Sequence, residues 1–139
     1  ARYIKDHFGL DCFADDTGLE VTALNGAPGV FSARFAGPQR NADDNMNLVL
    51  ERLQPKHDRT AQFKTVIALH FQGELITFEG ICKGKITETK RGTDGFGYDP
   101  IFQPANYKAT FAELSMAEKN RIGHRGQAVA KLISYLNRH

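Results

Sequence analysis

Cysteine is scarce in this chain: Cys12 and Cys82 stand alone in separate apolar runs, far apart in sequence. That spacing argues against a disulfide framework and a cysteine-based metal site, and fits buried free thiols in a reducing cytoplasm. Long apolar runs are lacking too, so no segment reads as a membrane span, and none reads as a secretory or transit segment. An excess of one charge is also missing. Lys and Arg number 18 against 16 Asp and Glu, a formal +2, and the basic residues form no long block. This balance gives no ground for a nucleic-acid partner. His7, His57, His70 and His139 are scattered without metal-ligand spacing. What is present is ordinary for one soluble domain: 139 residues, 41% hydrophobic and 24% charged, without internal repeats or low-complexity tracts. Residues 1–8 read as the second half of a helix stopped at Gly9, with no N-cap residue before it. The domain is therefore expected to span 1–139 and to be incomplete at its N-terminus.

The run ADDTGLEV, Ala14 to Val21, is followed at once by NGAPGVFSARFAG. A short apolar strand (Cys12, Phe13, Ala14) is expected to deliver Asp15 and Asp16 into a turn at Thr17-Gly18, with a second strand over Leu19 to Leu24. Acids at a strand end are held in place without being buried, as a divalent cation or an attacking water requires. Neighbours along a strand point to opposite faces, so one of the two acids addresses a given ligand; Asp16, nearer the turn, is the candidate. Turn capping accounts for the same residues, because Asp, Thr and Gly are common turn formers.

Asn41 is expected to cap a helix with Asp43 and Asp44 in its first turn and Leu48, Val49 and Leu53 on its apolar face, ended by Pro55. Capping also accounts for Asn45. Phe63 to Phe71 and Leu75 to Cys82 read as a hairpin about Gln72-Gly73, broken by Lys83-Gly84-Lys85 before a short strand at Ile86-Thr87. The segment RGTDGFGYDPIFQP sets aromatics among glycines, giving flat faces on which a base can stack, although such corners are also common structural turns. Ser115 to Glu118 reads as a capping box opening a final helix with an apolar stripe of Ile122, Val129, Leu132, Ile133 and Leu136. On a continuous helix Arg125 falls within that stripe and His124 points nearly half a turn away. Either Arg125 meets an anion or polar ligand in a cleft, or the helix breaks near Gly123 and Gly126. The two are compatible, and a snorkelling Arg125 beside a solvated His124 is the plainer alternative. Arg34 reads as a tie for its Gly/Pro-rich loop, and Glu20 as structural.

Taken in order, ADDTGLEV with GAPGVFSARFAG, then GFGYDPIF, then TFAELSMAEKN ending in HRG resemble the inosine/xanthosine triphosphate pyrophosphatases, from Ala14 to Ala128. The resemblance implies an α/β fold: a long twisted mixed sheet with flanking helices, and two lobes around a nucleotide cleft. It implies hydrolysis of noncanonical purine nucleoside triphosphates (ITP, dITP, XTP) between the α- and β-phosphates, with Mg²⁺, in a cytoplasmic homodimer. A nucleotide-binding module without catalysis is the rival from another class. By the resemblance, Asp16 is the catalytic and metal-binding acid and Thr17 a substrate-contacting hydroxyl. Phe96, Gly97, Tyr98 and Asp99 line the base and sugar, Lys119 lies near the nucleotide, and His124 and Arg125 read the 6-oxo purine edge. Gly123 replaces the serine that the family places before the His-Arg pair. The family's opening strand, its Asn/Lys phosphate loop and its metal glutamate are not among these residues.

Overall fold

The computed structural model describes residues 12–93 and 97–138, with the side chains of residues 12–14 excepted. The expected helix over residues 1–8 and the base-lining Phe96 lie outside the described residues. The core element is a four-stranded sheet in the order β1 (Cys12–Val21), β2 (Thr60–Phe71), β3 (Glu74–Ile86), β4 (Phe102–Pro104). The α/β class with flanking helices stands. The sheet, expected to be mixed, is antiparallel at every described pairing.

The turn expected at Thr17-Gly18 does not form. All ten residues of β1 pair in unbroken register with β2, from Cys12↔His70 to Val21↔Ala61. A partner strand that runs the full length of β1 satisfies the backbone through Thr17 and Gly18, and this outweighs their turn preference. The second strand expected over Leu19 to Leu24 is therefore the end of β1 followed by a single helical turn at Thr22–Leu24. For the same reason β3 runs through Lys83-Gly84-Lys85, where Gly84 faces Ala61 on β2 and Pro104 on β4. The β2–β3 hairpin turns at Gln72-Gly73, both at positive φ, 53° and 81°, as a tight two-residue turn demands.

Helix α1 (Ala42–Leu53) starts at Asn41, whose side chain accepts from the Asp44 N–H, and buries Met46, Val49 and Leu53. The last segment is two helices, α2 (Met116–Ile122) and α3 (His124–Arg138), parted where Gly123 takes an extended ψ of 157°. Ser115 caps α2 as expected, accepting from the Glu118 N–H. Glu118 itself turns to the Tyr107 hydroxyl and to Arg121.

One face of β2 is buried at alternate positions from Ala61 to Phe71. It carries two separate apolar clusters. Ala61 and Phe63 join Leu19, Val21, α1 and Phe102 and Phe111 at one end; Ile67, Leu69 and Phe71 pack under Ala128 and Leu132 of α3 at the other. Between them sits Thr65, fully buried, in a row with Thr17 on β1 and Gly80 on β3. The seam between the two apolar clusters thus carries hydroxyls, and its Thr17 borders a cleft.

Candidate functional site

The start of α3 crosses the sheet over this seam. A Cβ on Gly80 would stand 1.8 Å from the His124 carbonyl oxygen and 2.7 Å from the Ala128 nitrogen. Only glycine lets helix and sheet approach so closely. Gln127 completes the joint, accepting from the Ile81 N–H at 3.3 Å and donating to the Ile122 carbonyl at 3.0 Å. Gly126 clears the Asn120 carbonyl, which a Cβ there would meet at 2.3 Å.

The break at Gly123 reverses the faces expected of a continuous helix. His124 is buried at 8% exposure, and the Arg125 side chain is 54% exposed. Of the expected apolar stripe, Leu132 is buried, but Val129 and Ile133 are exposed, and Ala128 is buried beside Leu132. The His124 ring stacks on Phe63 with centroids 4.7 Å apart, and Nδ1 is buried without a hydrogen-bond partner. Burial, followed by the charges of Arg125 and Lys119, holds its pKa down to about 4. At neutral pH the imidazole is therefore uncharged and donates from one nitrogen only, leaving Arg125 the obligate donor of the pair.

A cleft of about 530 Å³ opens here, lined by Thr17, Gly97, Tyr98, Asp99, Lys119, His124 and Arg125 among others. That volume suits a nucleoside-sized ligand. Seven of the sequence's candidates thus face one cavity. Lys119 does not stand as a lone cation, because its ammonium meets Asp99 Oδ2 at 2.5 Å with both side chains largely buried. The Tyr98 hydroxyl donates to the Ser32 carbonyl at 2.6 Å, anchoring the aromatic corner to the loop of Gly29–Arg34. Burial pushes that phenol well above its ordinary range.

Asp16 lies elsewhere. Strand alternation turns it, exposed, to the opposite side of β1, into a smaller recess of about 140 Å³ that it shares with Glu20, Val30 and Lys64. Thr17 and Gly18 border both cavities. A magnesium ion seeks hard oxygen donors, which the open Asp16 carboxylate supplies. Glu20 is four residues along the strand, roughly 13 Å away, too far to share one ion with it. Among the described residues no three His, Cys, Asp or Glu side chains converge as a metal site. Among the described residues Asp16 therefore offers such an ion one carboxylate.

Sequence reasoning passed over several residues. Asn45, explained there by capping, is buried and stitches the loop to α1: it accepts from the Ala36 N–H and donates to the Ser32 and Ala33 carbonyls. Its position on the buried side of α1 was the available signal. Thr65, lying within an apolar strand, carried none. Ser32 accepts from the Leu19 N–H at 2.8 Å and so seals the edge of β1. Arg34 lies over the Phe31 ring, in keeping with a loop role. Cys82 is buried as expected, its thiol pushed up to about 11 by burial.

A mixed α/β domain with a nucleoside-sized cleft at the seam of its sheet is the class that these features define. The Ham1 family model matches residues 1–135. The chain belongs to the Ham1 family. It is 62% identical over 136 residues to the dITP/XTP pyrophosphatase of Flavobacterium johnsoniae, covering 98% of this chain and 71% of the relative. It is 54% identical to that of Christiangramia forsetii over 138 residues, covering 99% and 73%. Among solved structures, the Ham1 protein of Staphylococcus aureus superposes with a TM-score of 0.87 at 43% identity, over 90% of this chain and 66% of that one. The HAM1 protein of Coxiella burnetii gives 0.89 at 43%, over 94% and 69%. The chain thus spans about two thirds to three quarters of the length of these relatives. Among the described residues, no helix is long and apolar enough to cross a membrane.

Proposed function

We propose that the protein hydrolyses noncanonical purine nucleoside triphosphates, releasing the monophosphate and pyrophosphate, as the names of its relatives from F. johnsoniae and C. forsetii imply. The observation that carries the reading is the convergence of Thr17, Tyr98, Asp99, Lys119, His124 and Arg125 on one cleft. In this reading the base enters the cleft beside His124 and Arg125, and the triphosphate crosses β1 at Thr17-Gly18 toward Asp16. Arg125 donates only, which suits a 6-oxo acceptor and sets donor against donor for a 6-amino group. The Phe63–His124 stack presents a flat apolar wall that tolerates any purine, adding affinity rather than selectivity. The Lys119–Asp99 pair presents a positioned donor whose charge is largely offset, so it orients the nucleotide more than it attracts phosphate. Asp16 would hold Mg²⁺, which supplies charge neutralisation for phosphoryl transfer when bound. The same carboxylate is open to water and placed to orient one. A homodimer acting on the cytoplasmic nucleotide pool belongs to the same proposal.

The test offers the complete protein ITP, dITP, XTP, ATP and GTP with Mg²⁺ and measures both products. Pyrophosphate and monophosphate are expected from the first three, far faster than from ATP or GTP. Binding without pyrophosphate release, or equal rates on ATP, overturns the reading.

A further inference from the structure

Arg125 is held by two groups on the same side of β1. Its Nη1 donates to Asp15 Oδ2 at 3.1 Å and its Nη2 to Thr17 Oγ1 at 3.2 Å. Thr17 Oγ1 is itself 2.9 Å from Thr65 Oγ1 at the buried seam. A guanidinium fixed through both terminal nitrogens is constrained in plane and direction, as a lone arginine at the end of three methylenes is not. With side-chain exposures of 54% and 31%, the Arg125–Asp15 pair adds little to stability. Its consequence is orientation. The carboxylate also offsets the guanidinium charge at the point where a base edge would arrive. Hypoxanthine offers a neutral 6-oxo edge, whereas xanthine carries a second oxo group and gives up a ring proton more readily.

We propose that Asp15, through its contact with Arg125, is a positioning residue that sets the preference between hypoxanthine and xanthine nucleotides. The proposal rests on the reading of Arg125 as the residue that meets the base. Asp15→Asn keeps the shape and one acceptor oxygen but removes the charge, so Arg125 swings more freely and carries its full field. The neutral hypoxanthine base loses an aligned donor; the more acidic xanthine base gains attraction that compensates.

The experiment uses the complete protein with Mg²⁺ and measures kcat and KM on ITP and XTP for wild type, D15N, D15E, R125A and D15N/R125A. For D15N, kcat/KM on ITP is expected to fall about tenfold, mainly through KM, with a loss on XTP of less than about threefold. D15E should recover most of the ITP loss. In the R125A background, D15N should change neither nucleotide, because the two residues act as one unit. Equal losses on ITP and XTP, a loss confined to kcat, an undiminished effect without Arg125, or no effect at all overturns the proposal. If wild type releases pyrophosphate from neither nucleotide, the hydrolase reading fails. The same five proteins then decide the Asp15 proposal by calorimetric binding of ITP and XTP, with the same ratio shift expected in Kd.

Discussion

The two faces of β1 have opposite characters. Toward the helices, Asp15 and Thr17 hold Arg125, and Leu19 and Val21 disappear into the core. On the other face, Asp16, Gly18 and Glu20 border the smaller recess, where Glu20 accepts from Gln62 and Lys64 pairs with Glu79. A two-residue periodicity thus gives one strand both a crowded, pre-oriented wall and an open, wet one. The difference teaches how adjacent carboxylates acquire separate tasks. Asp15 is placed against a cation, and Asp16 is left to water and whatever the recess binds.

The largest expected effect is on the wet face. Asp16→Asn in the complete protein should lower turnover more than about a hundredfold, close to 3 kcal/mol of barrier, while ITP binding survives because the cleft lies on the other side. Turnover within tenfold of wild type would place the catalytic acid elsewhere and dissolve the division of labour between the faces.

Next comes the crowded side. Gly80→Ala puts a methyl against the backbone of α3, where a Cβ would lie 1.8 Å from the His124 oxygen. Backbone cannot yield as a side chain does, so stability should drop by at least about 2 kcal/mol in urea unfolding. A change below about 0.5 kcal/mol would mean that α3 does not press on the sheet at Gly80.

His124 sharpens the contrast through pH. Its folded pKa of about 4 lies below the ordinary 6.5, so the unfolded chain takes up the proton first as pH falls. Stability is therefore lost between about pH 6.5 and 4, by up to roughly 3 kcal/mol from this group. His124→Phe keeps a ring against Phe63 and should flatten that part of the acid limb. An unchanged pH dependence of the urea midpoint would contradict a buried neutral imidazole.

The smallest effect belongs to the open face again. Lys64→Met removes the ion pair with Glu79, which is half-exposed. Pairs of this kind contribute little, so the urea unfolding midpoint should stay within experimental scatter of the wild type. A clear drop in that midpoint would mean that the outer face is covered by something other than water.

Much of the fold was legible from local chemistry. Asn41 and Ser115 cap helices because their short oxygens reach an N–H in the first turn, and Gln72-Gly73 turns because that hairpin needs positive φ. Among the described residues, the candidates other than Asp16 line one cleft, and it was motifs rather than periodicity that singled them out. Periodicity misled at the end of the chain. A single helical wheel laid over residues 115–138 assigned Arg125 inward and His124 outward, and one extended residue at Gly123 reversed both. Thr65 gave no sign of its role, and Asn45 read only as a helix-start residue, because a buried polar residue looks misplaced until its partner, distant in sequence, is known.

By itself the sequence determined where the helices are capped, where the β2–β3 hairpin turns, and which chemical groups are available, because these depend on neighbours within a few residues. Only the tertiary structure decided that β1 runs straight through Thr17-Gly18, that its two acids face opposite cavities, and that His124 is buried beside an exposed Arg125. Each of those outcomes depends on a partner strand or on the helix crossing at Gly80. Backbone pairing and close packing across long sequence separations outweigh local preference wherever the two compete.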